Sequence, residues 1–106
     1  MSEAIGVLRA RVTLQSPQRV ADEIGGAAIL WTDEGEAWAA VEAAGVSESA
    51  AYNSAAANAA LRLTINRRDD VRAGWRVFWG ARVLRIEGVA DDGAPRVVLQ
   101  CVEERL

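Results

Sequence analysis

The chain has 106 residues, enough for a single domain and too few for two. Its formal net charge is −3, and acidic and basic residues are interspersed, which argues against a protein whose main task is to neutralise phosphates. Histidine and lysine are absent, so the chain lacks the commonest general base and the commonest metal ligand. We therefore expect a structural or binding protein that is not an enzyme and needs no cofactor.

We expect no membrane signal at the start of the sequence. The first seven residues include Glu3 and no apolar run, so they match neither a signal peptide nor an anchor. No stretch approaches the roughly 20 apolar residues of a membrane helix. Cys101 is the single cysteine, so no disulfide can form within the chain. We expect Cys101 to be a small buried hydrophobic residue on a strand. We expect the protein to be made in the cytoplasm and to contact no membrane.

Alternating apolar and polar residues predict about seven short strands. In chain order these are residues 8–15, 27–33, 36–44, 61–67, 76–80, 82–89 and a last strand that Pro95 opens. Between them we expect a long polar connection over 16–26, a turn at Asp33-Glu34-Gly35, a charged loop over 67–74 and a reversal at Gly80-Ala81. The fold class is therefore predicted as all-β, a small antiparallel barrel or sandwich of about six to seven strands with one short helix or long loop.

The third predicted strand has two unlike faces. Alanines and Val41 form one face, and Glu36, Trp38 and Glu42 form the other. A large aromatic residue among charges is a reasonable interface anchor, so these three residues are candidates for a subunit interface. A small barrel could instead wrap so that both faces are buried, in which case Trp38 belongs to the core. The sequence leaves both possibilities open.

Two other features have ordinary structural interpretations. Trp31, Trp75 and Trp79 are expected to pack in the core or to cap its ends. Arg67-Arg68-Asp69-Asp70 is expected to be a solvated turn, because its opposite charges cancel.

The segment from Gly45 to Ala60 breaks the alternation. It is rich in alanine, which favours a helix, and Ser47 or Ser49 could cap one. Tyr52 is its one large apolar residue, so such a helix would have little to hold it down. We predict a weak helix or a long loop, and long connections of this kind are usually functional or disordered.

A series of short segments lies in a characteristic order and spacing. They are Leu8-Arg-Ala-Arg-Val-Thr-Leu-Gln15, Asp22, Gly25-Gly26, Trp31, Trp38-Ala-Ala-Val-Glu42, Leu63-Thr-Ile65, Asp70-Val71, Gly74, Arg76-Val77, Gly80-Ala-Arg-Val83, Ile86, Val89 and Leu99-Gln-Cys-Val-Glu103. With this series the chain resembles the phage head–tail joining family, also called head-closure or stopper proteins. No single segment is specific, but the ordered set is.

The resemblance implies a small β-barrel protein in the neck of a tailed phage, a prophage or a gene transfer agent, assembled in the bacterial cytoplasm. It implies a ring, expected to be a hexamer, that closes the DNA-filled capsid and offers a docking surface to the tail. The implied partners are copies of itself, a portal–adaptor protein above, a tail terminator or tail tube protein below, and the packaged DNA that passes through the ring.

The resemblance also implies that the loop after Gly45 can project toward the channel or a neighbouring ring. We expect it to be mobile in the free protein and ordered in the connector. The candidate partner-loop residues are Ser47, Glu48, Ser49, Tyr52, Asn53 and Asn58.

Two other functions compete with this one. The chain could be another connector component, such as a tail terminator. It could also be a small oligonucleotide-binding barrel, which needs a basic groove interleaved with aromatic residues. Arginines do lie on predicted strand faces, although acidic residues balance them: Arg9, Arg11, Arg62, Arg82 and Arg85.

Overall fold

The computed structural model describes residues 8–46 and 59–104. These residues form six strands and no helix: β1 (Ala10–Ala21), β2 (Ala27–Val46), β3 (Ala59–Asn66), β4 (Arg76–Trp79), β5 (Arg82–Ala90) and β6 (Arg96–Glu104). All neighbouring strands are antiparallel, and the sheet closes into a barrel in the order β1-β2-β3-β6-β5-β4, with β4 pairing back to β1. The predicted all-β fold is confirmed.

The inward faces of the strands form one apolar core. Its fully buried large side chains are Val12, Leu14, Leu63, Ile65, Val77, Leu84, Ile86, Val97 and Leu99. These positions alternate with outward-facing residues along each strand, as the sequence pattern predicts for a sheet with one buried face. Trp75 is buried with this core and Trp79 packs against it, so the prediction is confirmed for both tryptophans. Trp31 lies outside the core.

The predicted turn at Asp33-Glu34-Gly35 is wrong, because β2 runs through it without a break. Leu14 of β1 pairs with Gly35 and Gln15 pairs with Asp33, so Glu34 is an extra residue in a β-bulge. Gly35 has a φ of 108°, a conformation that glycine adopts readily. Bulges and turns favour the same residue types, so the sequence pattern at this point does not distinguish them. The two predicted strands, residues 27–33 and 36–44, are one strand.

The predicted connection over residues 16–26 is also wrong over much of its length. β1 continues to Ala21 and pairs with β2 as far as Ala27. β4 accompanies β1 no further than Gln15, and β3 joins β2 only from Ala39. Residues 16–33 therefore leave the barrel as a two-stranded ribbon, which we call the arm. Beyond Ser16 and Pro17 most of it is exposed on both faces, which removes the alternation that identifies a strand.

Residues 47–58, where the sequence predicts a weak helix or a long loop, lie outside the described part of the chain. All six candidate partner-loop residues fall there, and their role stays a prediction. The described strands on either side meet as a pair, since Val46 at the end of β2 lies opposite Ala59 at the start of β3.

Candidate functional site

An aromatic and charged surface lies on the outer side of β1 and β2. Trp38 is 50% exposed there. The guanidinium carbon of Arg11 is 5.4 Å from the centre of the Trp38 ring, and Arg11 Nε is 2.8 Å from Glu36 Oε1. A shallow cleft beside the ring is lined by Leu8, Trp38, Asn66 and Arg96. We call this surface the Trp38 patch; its residues are Leu8, Arg11, Glu36, Trp38, Asn66 and Arg96.

The predicted outward orientation of Trp38, Glu36 and Glu42 is confirmed, and the alternative that Trp38 belongs to the core is wrong. Glu36 joins Trp38 in the patch. Glu42 lies four residues further along β2, about 13 Å away at the rise of a strand, where it forms an ion pair with Arg62 at 3.4 Å. The structure thus unites two of the three predicted interface residues and separates the third.

The arm is a second candidate surface, although none of its residues was predicted from the sequence to belong to a functional site. Among the described residues, five large apolar side chains are exposed, and four of them belong to the arm: Val20, Ile24, Ile29 and Leu30. The register places Val20 and Leu30 on one face of the ribbon and Ile29 on the other. The arm contains one arginine and three acidic residues, a net charge of −2. It therefore combines apolar surface with negative charge.

The tip of the arm is an ordered turn. One carboxylate oxygen of Asp22 accepts hydrogen bonds from the backbone N–H groups of Ile24 at 3.1 Å and Gly26 at 2.8 Å. The backbone N–H of Asp22 also donates to the carbonyl of Gly26 at 3.1 Å. These bonds present Ile24, which is 91% exposed, at the outermost point of the turn.

Arg76 of β4 fixes the base of the arm on one side. Its Nε donates to Gln15 Oε1 at 2.7 Å. Its guanidinium carbon lies 4.1 Å from the centre of the Trp31 ring and 4.9 Å from that of Phe78. The prediction that Trp31 packs in the core or caps it is therefore wrong, because Trp31 lies on the arm beneath an arginine.

The bulge fixes the base on the other side. Ser16 Oγ donates to Glu34 Oε2 at 2.5 Å, and Arg68 Nη2 donates to the Glu34 carbonyl at 2.8 Å. Arg68 is itself held by Asp70, at 3.0 and 2.9 Å, and these bonds lower the pKa of the Asp70 carboxyl. The charged loop after β3 exists as predicted, but Arg68 does more than lie in solvent. Arg68 joins the loop to the bulge at the base of the arm.

Arg67 bonds the turn between β5 and β6 in a similar way. Its guanidinium bonds both carboxylate oxygens of Asp91, and its Nε donates to the Ala94 carbonyl at 2.9 Å. The hydrogen bond from Arg67, followed by one from the backbone N–H of Gly93, lowers the pKa of Asp91 from 3.8 to about 2. These contacts stabilise turns and form no reactive group.

The described residues contain little that could support catalysis. Cys101 is buried, as predicted, and burial, followed by the negative charge of Glu87, raises the pKa of its thiol to about 12. Such a thiol is a poor nucleophile. No group of three or more acidic, cysteine or histidine residues is arranged to hold a metal ion in residues 8–46 and 59–104. The same ranges hold no helix that is long and apolar enough to cross a membrane.

Two known structures resemble the fold of this chain. In a virion of a native gene transfer agent, one chain superposes with a TM-score of 0.74 at 28% sequence identity, covering 94% of this chain and 96% of that one. The solution structure of protein SF1141 from Shigella flexneri 2a superposes with a TM-score of 0.67 at 30% identity, covering 93% and 95%. No curated protein sequence matches the chain. A family profile described as phage head completion protein matches residues 4–105, nearly the whole length. The chain therefore belongs to the phage head completion protein family.

Proposed function

We propose that this protein is a head–tail connector that forms a closed ring beneath the portal and adaptor of a phage-like particle. The ring closes the DNA-filled capsid and provides the surface on which the tail docks. The observation that carries the proposal is the family match over residues 4–105. The similarity to a chain of a gene transfer agent virion, over nearly the full length of both chains, supports the same location.

Ring formation requires two different surfaces on each subunit, because a head-to-tail contact joins unlike patches. The Trp38 patch is a suitable surface of this kind. It presents a half-exposed aromatic ring flanked by Arg11 and Glu36, and interface hot spots are enriched in Trp and Arg. We place a subunit contact at this patch and assign the ring six copies.

The charges on the barrel do not favour the alternative of an oligonucleotide-binding barrel. Such a protein needs cationic side chains that are available to phosphates. Of the five arginines that could form a basic strand face, four are held by carboxylates: Arg11 by Glu36, Arg62 by Glu42, Arg82 by Glu103, and Arg85 by Glu87 and Glu104. A ring through which DNA only passes needs no such affinity for phosphates, so the paired arginines agree with the connector role.

Deletion of the gene, followed by electron microscopy of the particles, tests the proposal. We expect heads that are filled or leaking and that carry no tails, together with separate free tails. The same strain supplied with the unaltered gene should produce tailed particles again. Normal tailed and infectious or transducing particles from the deletion would contradict the connector role.

A further inference from the structure

We propose that the tip of each arm docks on the Trp38 patch of the next copy of this chain. This inference rests on the proposed ring and assigns the contact that closes it. The arm needs such a partner because, within the described part of the chain, its two strands have only each other as hydrogen-bonding neighbours, and they carry apolar residues on both faces. An isolated two-stranded ribbon is only marginally stable in water.

The chemistry of the two surfaces is complementary. The tip presents Ile24, 91% exposed, directly after the acidic Asp22 and Glu23. Outside the arm, Trp38 is the only exposed large apolar side chain among residues 8–45 and 59–104. It lies in a shallow cleft with Leu8, and the patch also carries Arg11, Arg96 and Glu36, a net charge of +1. An apolar residue on an acidic arm therefore matches an apolar cleft whose net charge is positive.

The fold prevents the tip from reaching the patch of its own chain. β1 is a continuous strand that passes Arg11 in the patch and then runs on to Ala21 at the foot of the tip. Ten residues separate these two positions, which is about 33 Å at the rise of a strand. The longest dimension of the molecule is 54 Å, consistent with surfaces at opposite ends. A contact between them must join different copies, and a repeated contact of this kind closes into a ring or continues as a filament.

Disulfide trapping inside assembled particles tests the contact. Ile24→Cys and Asn66→Cys place one thiol on the tip and one in the cleft, at two exposed positions. The native Cys101 is buried and should not interfere. The double variant is co-expressed with the unaltered chain, so that rings form even if the variant alone assembles poorly. After oxidation, we expect disulfide-linked dimers and longer ladders of this chain on a non-reducing gel.

The control keeps Ile24→Cys and moves the second thiol to Ala81→Cys, an exposed position in the turn between β4 and β5. It should give no ladder. If tailed particles contain Ile24→Cys/Asn66→Cys but yield only monomer, the contact is wrong while the connector role stands. A band that joins Ile24→Cys to the adaptor or to a tail protein would also overturn it, since the arm would then have a different partner.

A competition experiment gives a second measurement. Ile24→Asp keeps the fold, because the side chain is almost fully exposed, but it removes the apolar anchor and adds repulsion from the acidic neighbours. When Ile24→Asp and the unaltered chain are expressed together, we expect the variant to be incorporated at least about tenfold less, the factor that corresponds to exposing one buried aliphatic side chain. Equal incorporation, with equal melting temperatures of the free chains, would overturn the proposal.

Discussion

Replacing Trp38 by alanine should damage assembly more than folding. Trp38 is half exposed, so its ring covers roughly 100 Å² of the about 200 Å² that a buried tryptophan removes from water. At about 25 cal/mol per Å², the loss of this contact lowers the free energy of unfolding by at most about 2.5 kcal/mol, and the extended reference chain makes that an upper bound. This upper bound includes the contact between the Arg11 guanidinium and the Trp38 ring.

Ile86→Ala is the matched control. Ile86 is 1% exposed and lies inside the barrel, so its truncation leaves a cavity and costs about 2–5 kcal/mol. Thermal unfolding of the two purified variants, followed by circular dichroism, should give the lower melting temperature for Ile86→Ala. Each variant is then expressed with the unaltered chain, below both melting temperatures, and its share of assembled particles is measured by mass spectrometry.

We expect Ile86→Ala to be incorporated almost normally and Trp38→Ala to be incorporated about tenfold less, the effect of losing an interface anchor. If Trp38→Ala melts below Ile86→Ala, then Trp38 carries core stability and the reasoning from its exposure fails. If Trp38→Ala is incorporated as well as the unaltered chain, the Trp38 patch is not a subunit contact.

Two further predictions concern titratable groups. The pKa of Asp91 is lowered in the folded state from 3.8 to about 2. The bonds from Arg67 therefore stabilise the fold fully at pH values above 3.8, and this stabilisation is lost as the pH falls toward about 2. The free energy of unfolding of Asp91→Asn should therefore fall less than that of the unaltered chain between pH 4 and pH 2, and Asp92→Asn is the control for the loss of one charge. If the stability curves of Asp91→Asn and the unaltered chain run parallel over this range, the pairing is refuted. Because burial raises the pKa of the Cys101 thiol to about 12, iodoacetamide at pH 8 should label it only after denaturation, and labelling of the native protein within minutes would show that β6 opens.

The sequence predicts the barrel strands well because each has one buried face. Val12, Leu14, Leu63 and Ile65 lie inside as the alternation indicates, and Trp38 lies outside for the same reason. The resemblance to a phage family also came from the sequence, since an ordered series of weak segments is more specific than any one of them. The family match confirms it.

One strand of the arm, residues 27–33, was predicted, but its partner strand in residues 16–21 was not, because alternation reports a difference between two faces and most of the arm has two exposed faces. Pro17 favours the interpretation as a connection, although proline is tolerated here because, within the described residues, the outer edge of β1 has no partner beyond Gln15. The remaining signal was Ile29 and Leu30 in succession, two apolar residues that no single buried face could accept. Local composition likewise cannot separate the bulge at Gly35 from a turn, because the difference lies in the pairing with β1.

The division between a closed barrel and a projecting arm also affects how the protein can change over evolution. No side chain from Gln18 to Leu30 belongs to the buried core, and the tip is held by bonds within its own turn. Substitutions in this stretch can alter what the chain joins without altering whether the barrel folds. If the arm docks on the Trp38 patch of the next copy, as proposed above, paired substitutions in the tip and the patch could change which copies assemble together while the barrel scaffold is retained. A graft between relatives would, on the same proposal, have to carry the arm and its docking patch together.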